Sequence, residues 1–214
     1  MSKFEAVIFD MDGTLLNSEE FAFGVWTRAL EEFGFQLVRD TFISMVGTSL
    51  ARSNQILVET FGPTLPMVAV REKKKAIEML ALETEIIETR SGAIELLEVL
   101  REKKVKVGLA TSTEQDRAMK RLESGDMLKY FEYILCGDEV KNQKPDPEIY
   151  LTMAEMLGVD IEKTLIIEDS PSGVQGALNA GATVYWFKDL ADISDELKLR
   201  VKSISSMSEV LIDF

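Results

Sequence analysis

Five short apolar runs rich in β-branched residues alternate with helical stretches, and this alternation constrains the chain more than anything else in it. The runs are residues 4–9, 105–110, 133–136, 164–167 and 183–187. Between them, residues 91–104 place Ala93, Leu96, Leu97 and Leu100 on one helical face. Residues 147–157 do the same with Ile149, Met153, Met156 and Leu157. Asp146-Pro147 and Ser170-Pro171 each read as an N-cap followed by proline at the first helical position. Gly158 and Gly181 read as helix stops. Strands alternating with helices predict right-handed βαβ crossovers and a parallel sheet covered on both faces.

Residues 17–88 break the rhythm. They hold no convincing strand and three helix-like segments. Phe23, Trp26, Leu30 and Phe33 follow a 3-4-3 spacing, and residues 50–61 and 67–82 form the other two, separated by Gly62-Pro63. A helical block placed directly after the first strand reads as an inserted second domain. The run Arg71-Glu72-Lys73-Lys74-Lys75 reads as a solvated helix face, with a phosphate-steering patch as the minor alternative. Cys136 reads as a buried strand residue, and the ten methionines as core filler.

In an open parallel sheet, ligands bind at the carboxyl ends of the strands. Four polar clusters fall there: Asp10 with Asp12, Thr111 with Ser112, Lys144, and Glu168 with Asp169. Asp10 and Asp12 are two apart, so on an extended backbone they share a face. Carboxylates so placed repel unless a cation lies between them or one takes a proton. Magnesium suits such hard oxygen donors. Thr111 and Ser112 offer donors at the start of the following helix, where an anion can bind, although an N-cap role explains them equally. Lys144 can neutralise a phosphate and bridge to Asp10, or be a solvated loop lysine. Strand-end acids can likewise serve only as helix caps.

Composition removes competing chemistries. The 214 residues contain no histidine and one cysteine, which excludes Ser-His-Asp and Cys-His catalysis, histidine-bearing zinc motifs and clustered-cysteine metal sites. Thus carboxylates, hydroxyls, lysines or a metal must do the work. That inventory fits phosphoryl transfer, where positioning and charge stabilisation dominate. Aspartate is ionised at neutral pH with an unperturbed pKa of about 3.9 and needs no base to act as a nucleophile. The net charge of −13 opposes nucleic-acid and anionic-membrane binding. The N-terminus is too short in apolar residues and too charged for a signal peptide, and no run reaches membrane-span length. A cytoplasmic location is the default expectation.

The segments FDMDGT (residues 9–14), LATST (109–113), KNQKPDPEIY (141–150) and IIEDSPSGVQGALNAG (166–181) resemble, in order, the four motifs of the haloacid dehalogenase (HAD) superfamily. The resemblance is to its β-phosphoglucomutase-like phosphatase branch and covers nearly the whole chain. It implies an α/β fold: a doubly wound parallel-sheet core (residues 1–16 and 89–214) carrying an all-helical cap of four-helix type (17–88). It implies a magnesium-dependent phosphomonoester hydrolase acting on a small phosphorylated metabolite, most simply a sugar phosphate. Asp10 would be the nucleophile forming an aspartyl-phosphate. Asp12 would protonate the leaving alkoxide and then activate water. Thr111, Ser112 and Lys144 would hold the phosphoryl group. Asp10, Asp12 through its backbone carbonyl, Glu168 and Asp169 would hold Mg2+. The second aspartate argues for phosphate over carbon–halogen substrates.

Two departures bear on the mutases of this branch. Ala22 stands where they carry a histidine. Leu50 stands nearest their phosphate-gripping arginine, with Arg52 two residues on. Both favour hydrolysis over a phosphosugar mutase, the alternative within enzymes. From another class, a phospho-accepting regulatory module would also use acids, magnesium and a lysine on a parallel sheet. A monomer is the default for a capped enzyme of this size.

Overall fold

In a computed structural model, residues 3–188 and 190–214 are described. Strand β1 (Ala6–Phe9) is buried along its whole length, as a central strand of a parallel sheet must be when helices cover both faces. Four helices follow it: α1 (Ser18–Glu31), α2 (Arg39–Met45), α3 (Leu50–Phe61) and α4 (Met67–Ala81). The alternating part then resumes with α5 (Ala93–Glu102), β2 (Lys106–Ala110), α6 (Gln115–Ser124), β3 (Tyr133–Leu135) and α7 (Glu148–Leu157). It ends with β4 (Thr164–Glu168), α8 (Pro171–Ala180), β5 (Thr183–Phe187), α9 (Asp195–Lys198) and β6 (Lys202–Ile204).

The six strands lie in the order β3-β2-β1-β4-β5-β6, every neighbour parallel. This is the doubly wound α/β arrangement expected from the alternation. The direction of winding reverses beside β1, which opens a crevice at the carboxyl ends of β1, β2 and β4. Alternate strand residues serve opposite layers. Val7, Phe9, Leu109, Leu165 and Ile167 pack with Leu96, Leu97 and Leu100 of α5. Ala6, Ile8, Ile166, Val184 and Trp186 pack with Tyr150 and Met153 of α7 and Val174 and Ala177 of α8.

The four helices between β1 and α5 bury a cluster of their own around Trp26, Leu30, Phe42, Ile56, Leu57 and Val70. The chain enters and leaves this block side by side. Leu16 and Thr89 form an antiparallel bridge. Asn17 donates its N–H to Glu88 O (2.8 Å), and Arg90 donates to Leu15 O (2.8 Å).

Several local expectations are met. Gly158 and Gly181 close α7 and α8 in left-handed conformations (φ 62° and 89°). Ser170 caps α8, its hydroxyl accepting from Gly173 N, with Pro171 at the first position. Asp146 accepts from Glu148 N (3.0 Å), although the residue at the helix boundary is Pro147. Three elements were not foreseen, among them the four-residue helix α9. Helix α2 has only seven residues, too few to show a period. Strand β6 is a three-residue edge strand, with Lys202 and Ser203 exposed.

The run 71–75 meets its expected role only in part. Lys74 is partly buried and pairs with Glu78. Arg71 bonds Asn54 and lies over the Trp26 ring. Lys75 reaches Glu114 (2.8 Å) and Asp116 (3.0 Å) across from α4. The run therefore fastens α4 to α1, α3 and α6. Glu72 and Lys75 stay exposed, as a solvated face requires, whereas Arg71 and Lys74 are drawn onto the Trp26 ring and Glu78.

Candidate active site

Each polar cluster is delivered by the loop after a strand. Asp10 follows β1, Thr111 follows β2, Lys144 lies in the loop after β3, and Glu168 ends β4 with Asp169 next. Asp10, Glu168 and Asp169 converge, each offering one carboxylate oxygen within 4.8 Å of the others, and all three are buried. Lys144 Nζ donates to Asp10 Oδ1 (2.6 Å), Glu168 Oε1 (2.8 Å) and Ala110 O (3.1 Å). Glu168 also accepts from the Tyr150 hydroxyl (3.1 Å), Ser170 N (2.7 Å) and Ser170 Oγ (3.0 Å). Thr14 Oγ1 donates to Asp169 Oδ1 (2.8 Å), and Trp186 Nε1 donates to its carbonyl (2.9 Å).

The turn after β1 admits only glycine at position 13. Gly13 has φ +81°, and a Cβ there would lie 2.3 Å from Asp169 Oδ2. Its carbonyl accepts from Arg90 Nε (3.0 Å). These contacts hold Asp10 and Asp12 at the mouth of the crevice.

Three buried carboxylates against one ammonium leave negative charge that protein groups do not balance. Burial pushes the Asp10 carboxyl up, Glu168 and Asp12 add to the rise, and Lys144 opposes it. The net value is about 8. Asp169 is likewise raised well above the carboxylate range by burial, then by Glu168 and Asp10. A hard divalent cation among these oxygens would restore both to the ionised form, and an all-oxygen donor set suits magnesium.

The other sequence-derived residues face the same space. Asp10, Asp12, Thr111, Ser112, Lys144 and Asp169 line one cavity of about 290 Å³. Its opposite wall comes from the helical block and includes Ala22, Trp26, Phe42, Met45 and Thr48. Glu168 lies behind Lys144. Thr111 and Ser112 differ from expectation in one respect. Helix α6 begins at Gln115 with Glu114 at its cap position, so neither residue caps it. The Thr111 N–H goes to Leu135 O (3.0 Å), extending the ladder beyond β2. The Thr111 hydroxyl accepts from Thr113 N (3.1 Å).

Sequence reasoning missed the partners of Asp12. Its Oδ1 accepts from Arg121 of α6, and its Oδ2 from Thr113 Oγ1 (2.8 Å). Arg121 also pairs with Glu78 of α4. A signal was present. Glu78 stands between Val70 and Ala81 on the buried stripe of α4, and Arg121 stands between Ala118 and Leu122 on that of α6.

Residues 7–187 match the family model for haloacid dehalogenase-like hydrolases. The chain belongs to that family. It is 39% identical over 181 residues to a phosphorylated carbohydrates phosphatase of Thermotoga maritima, covering 83% of this chain and 82% of that one. It is 29% identical over 189 residues to a 6-phosphogluconate phosphatase of Escherichia coli (87% and 84% covered). Among solved structures, a HAD-family hydrolase from Deinococcus radiodurans with bound phosphate and sodium superposes with a TM-score of 0.78. It is 25% identical, with 98% of this chain and 94% of that one covered. The motifs at residues 9–14, 109–113, 141–150 and 166–181 all fall inside the matched region.

Proposed function

We propose that this HAD-family hydrolase is a magnesium-dependent phosphomonoesterase of small phosphorylated carbohydrates, working through an aspartyl-phosphate on Asp10. The observation that carries the reading is the buried set of Asp10, Glu168 and Asp169 around Lys144, opening on the same cavity as Asp12, Thr111 and Ser112. The names of the relatives, phosphatases of phosphorylated carbohydrates and of 6-phosphogluconate, support the substrate class.

In this reading an Asp10 oxygen attacks phosphorus, and the bond to the leaving alkoxide breaks. Asp12 supplies the proton that the alkoxide takes. Asp12 then accepts a proton from water as that water attacks the phosphorus, and the bond to Asp10 breaks. Thr111, Ser112 and Lys144 bind the phosphoryl oxygens, and Lys144 also orients Asp10 through the 2.6 Å contact. Asp10 and Asp169, with Glu168 and the Asp12 carbonyl, would hold magnesium. That ion, when bound, offsets the charge of nucleophile and phosphate. Residues 17–88 act as a cap that carries specificity and excludes water.

Hydrolysis is favoured over a mutase by the cavity's charge. Among the described lining residues the cations are Lys144 and Arg121, and each already pairs with two carboxylates. A second phosphate finds no uncommitted cation there. Asp10→Asn should remove at least about 1,000-fold of turnover on p-nitrophenyl phosphate while the fold survives. Chelating the metal should abolish turnover, and added magnesium should restore it. Full activity of the Asp10 variant would refute the nucleophile assignment. A persistent phosphoprotein without phosphate release would favour a regulatory module.

A further inference from the structure

A line of charge, buried at Arg121 and Glu78, runs from Asp12 to the helical block. Arg121 reaches Asp12 Oδ1 with one terminal nitrogen and Glu78 Oε1 with the other. The guanidinium is a planar fork, so gripping two acids at once fixes its plane. Glu78 has no exposed surface. Its second oxygen accepts from Lys74 and from Arg117 Nη1 (3.3 Å). On the exposed side of the same contact, Lys75 of α4 meets Glu114 and Asp116.

Buried ion pairs are weak evidence for stability, since apolar replacements often do as well. The pairing here is also incomplete, because the Nε atoms of Arg117 and Arg121 are buried without a hydrogen-bond partner. What the arrangement does accomplish is geometric. Both Asp12 oxygens are held, one by Arg121 and one by Thr113. Neither holder belongs to the β1 loop that carries Asp12.

We propose that Arg121 is a positioning residue for Asp12, and that Glu78 of α4 sets the place of Arg121. The productive direction of the Asp12 carboxylate then requires α4 to be seated on α6. The helical block thereby takes part in the chemical step as well as in shaping the cavity. This rests on the phosphatase reading above, in which Asp12 protonates the leaving group.

The test exploits leaving groups. An alkoxide needs the proton from Asp12, whereas p-nitrophenolate departs without one. The ratio kcat/KM covers only the steps up to release of that first product. Arg121→Lys keeps the charge but not the fork, and Glu78→Gln keeps the shape but not the charge. Misplacing a catalytic group by a fraction of its reach costs about tenfold or more. Each variant should therefore lose at least about tenfold in kcat/KM on glycerol 2-phosphate and less than about threefold on p-nitrophenyl phosphate. Thermal melts establish that each is folded, and either variant alone suffices. Equal losses on the two esters, a change in KM alone, or no loss at all would overturn the positioning role. If the wild type hydrolyses neither ester, the phosphatase reading itself fails.

Discussion

At the scale of single residues, the site depends as much on what is missing as on what is present. A Cβ at Gly173 would lie 1.6 Å from Glu168 Oε1 and 2.0 Å from its Cδ. Alanine normally stabilises a helix interior by about 0.5–1 kcal/mol relative to glycine. Here overpacking of about 1–3 kcal/mol exceeds that gain. Gly173→Ala should therefore lower Tm and displace Glu168 from Lys144, cutting turnover. A thermal melt and a p-nitrophenyl phosphate assay would check both. The acids, the hydroxyls and Lys144 were legible because each follows an apolar run at a strand's carboxyl end. The Arg121 contacts were not, because Arg121 lies 109 residues from Asp12 and 43 from Glu78. A charged residue on a buried helical stripe marks a need for a partner without naming it.

At the scale of elements, length decided what could be read. The five strands expected from the sequence have three or more apolar residues in succession or alternation, and helices α1, α3, α4, α5 and α7 run for ten residues or more, over two turns. Helix α2 and strand β6 exist through tertiary contacts. Phe42 and Met45 of α2 join the cluster of the helical block, and Ile204 of β6 closes one layer of the sheet. That cluster makes a stability prediction. Leu57 of α3 is fully buried in it and lies outside the cavity lining. Leu57→Ala should cost about 2–5 kcal/mol by lost transfer energy and the void left behind. Urea unfolding would show it as a lower midpoint. An unchanged midpoint would mean that the four helices do not share one cooperative core.

At the scale of the whole molecule, the charge line between α4 and α6 gives folding a pH dependence. Burial opposes ionisation of Glu78, but Arg121, Lys74 and Arg117 outweigh it and bring the carboxyl to about 2, against an ordinary 4.5. Its folded-state value is depressed, so its contribution is complete above the ordinary value and fades as pH falls towards 2. The magnitude is on the order of 3 kcal/mol. Lys74 is also lowered, to about 8, because burial and the two nearby arginines outweigh Glu78. Its effect lies in the alkaline range and leaves the acid limb to Glu78. Glu78→Gln should melt below the wild type near pH 7 by several degrees, with the gap narrowing near pH 3. A constant gap would assign the loss to packing. No helix among the described residues is long and apolar enough to cross a membrane.

The paired crossing at Leu16 and Thr89 has a consequence for how such a chain can change over time. Departure and return are one hydrogen-bonded step apart, so the sheet cannot register how much polypeptide is spooled out between them. Insertions, deletions or wholesale exchange of that excursion would leave every strand in register. Such an exchange keeps the strand-end acids and Lys144 in place, while any replacement must again offer Arg121 an acid where Glu78 now stands.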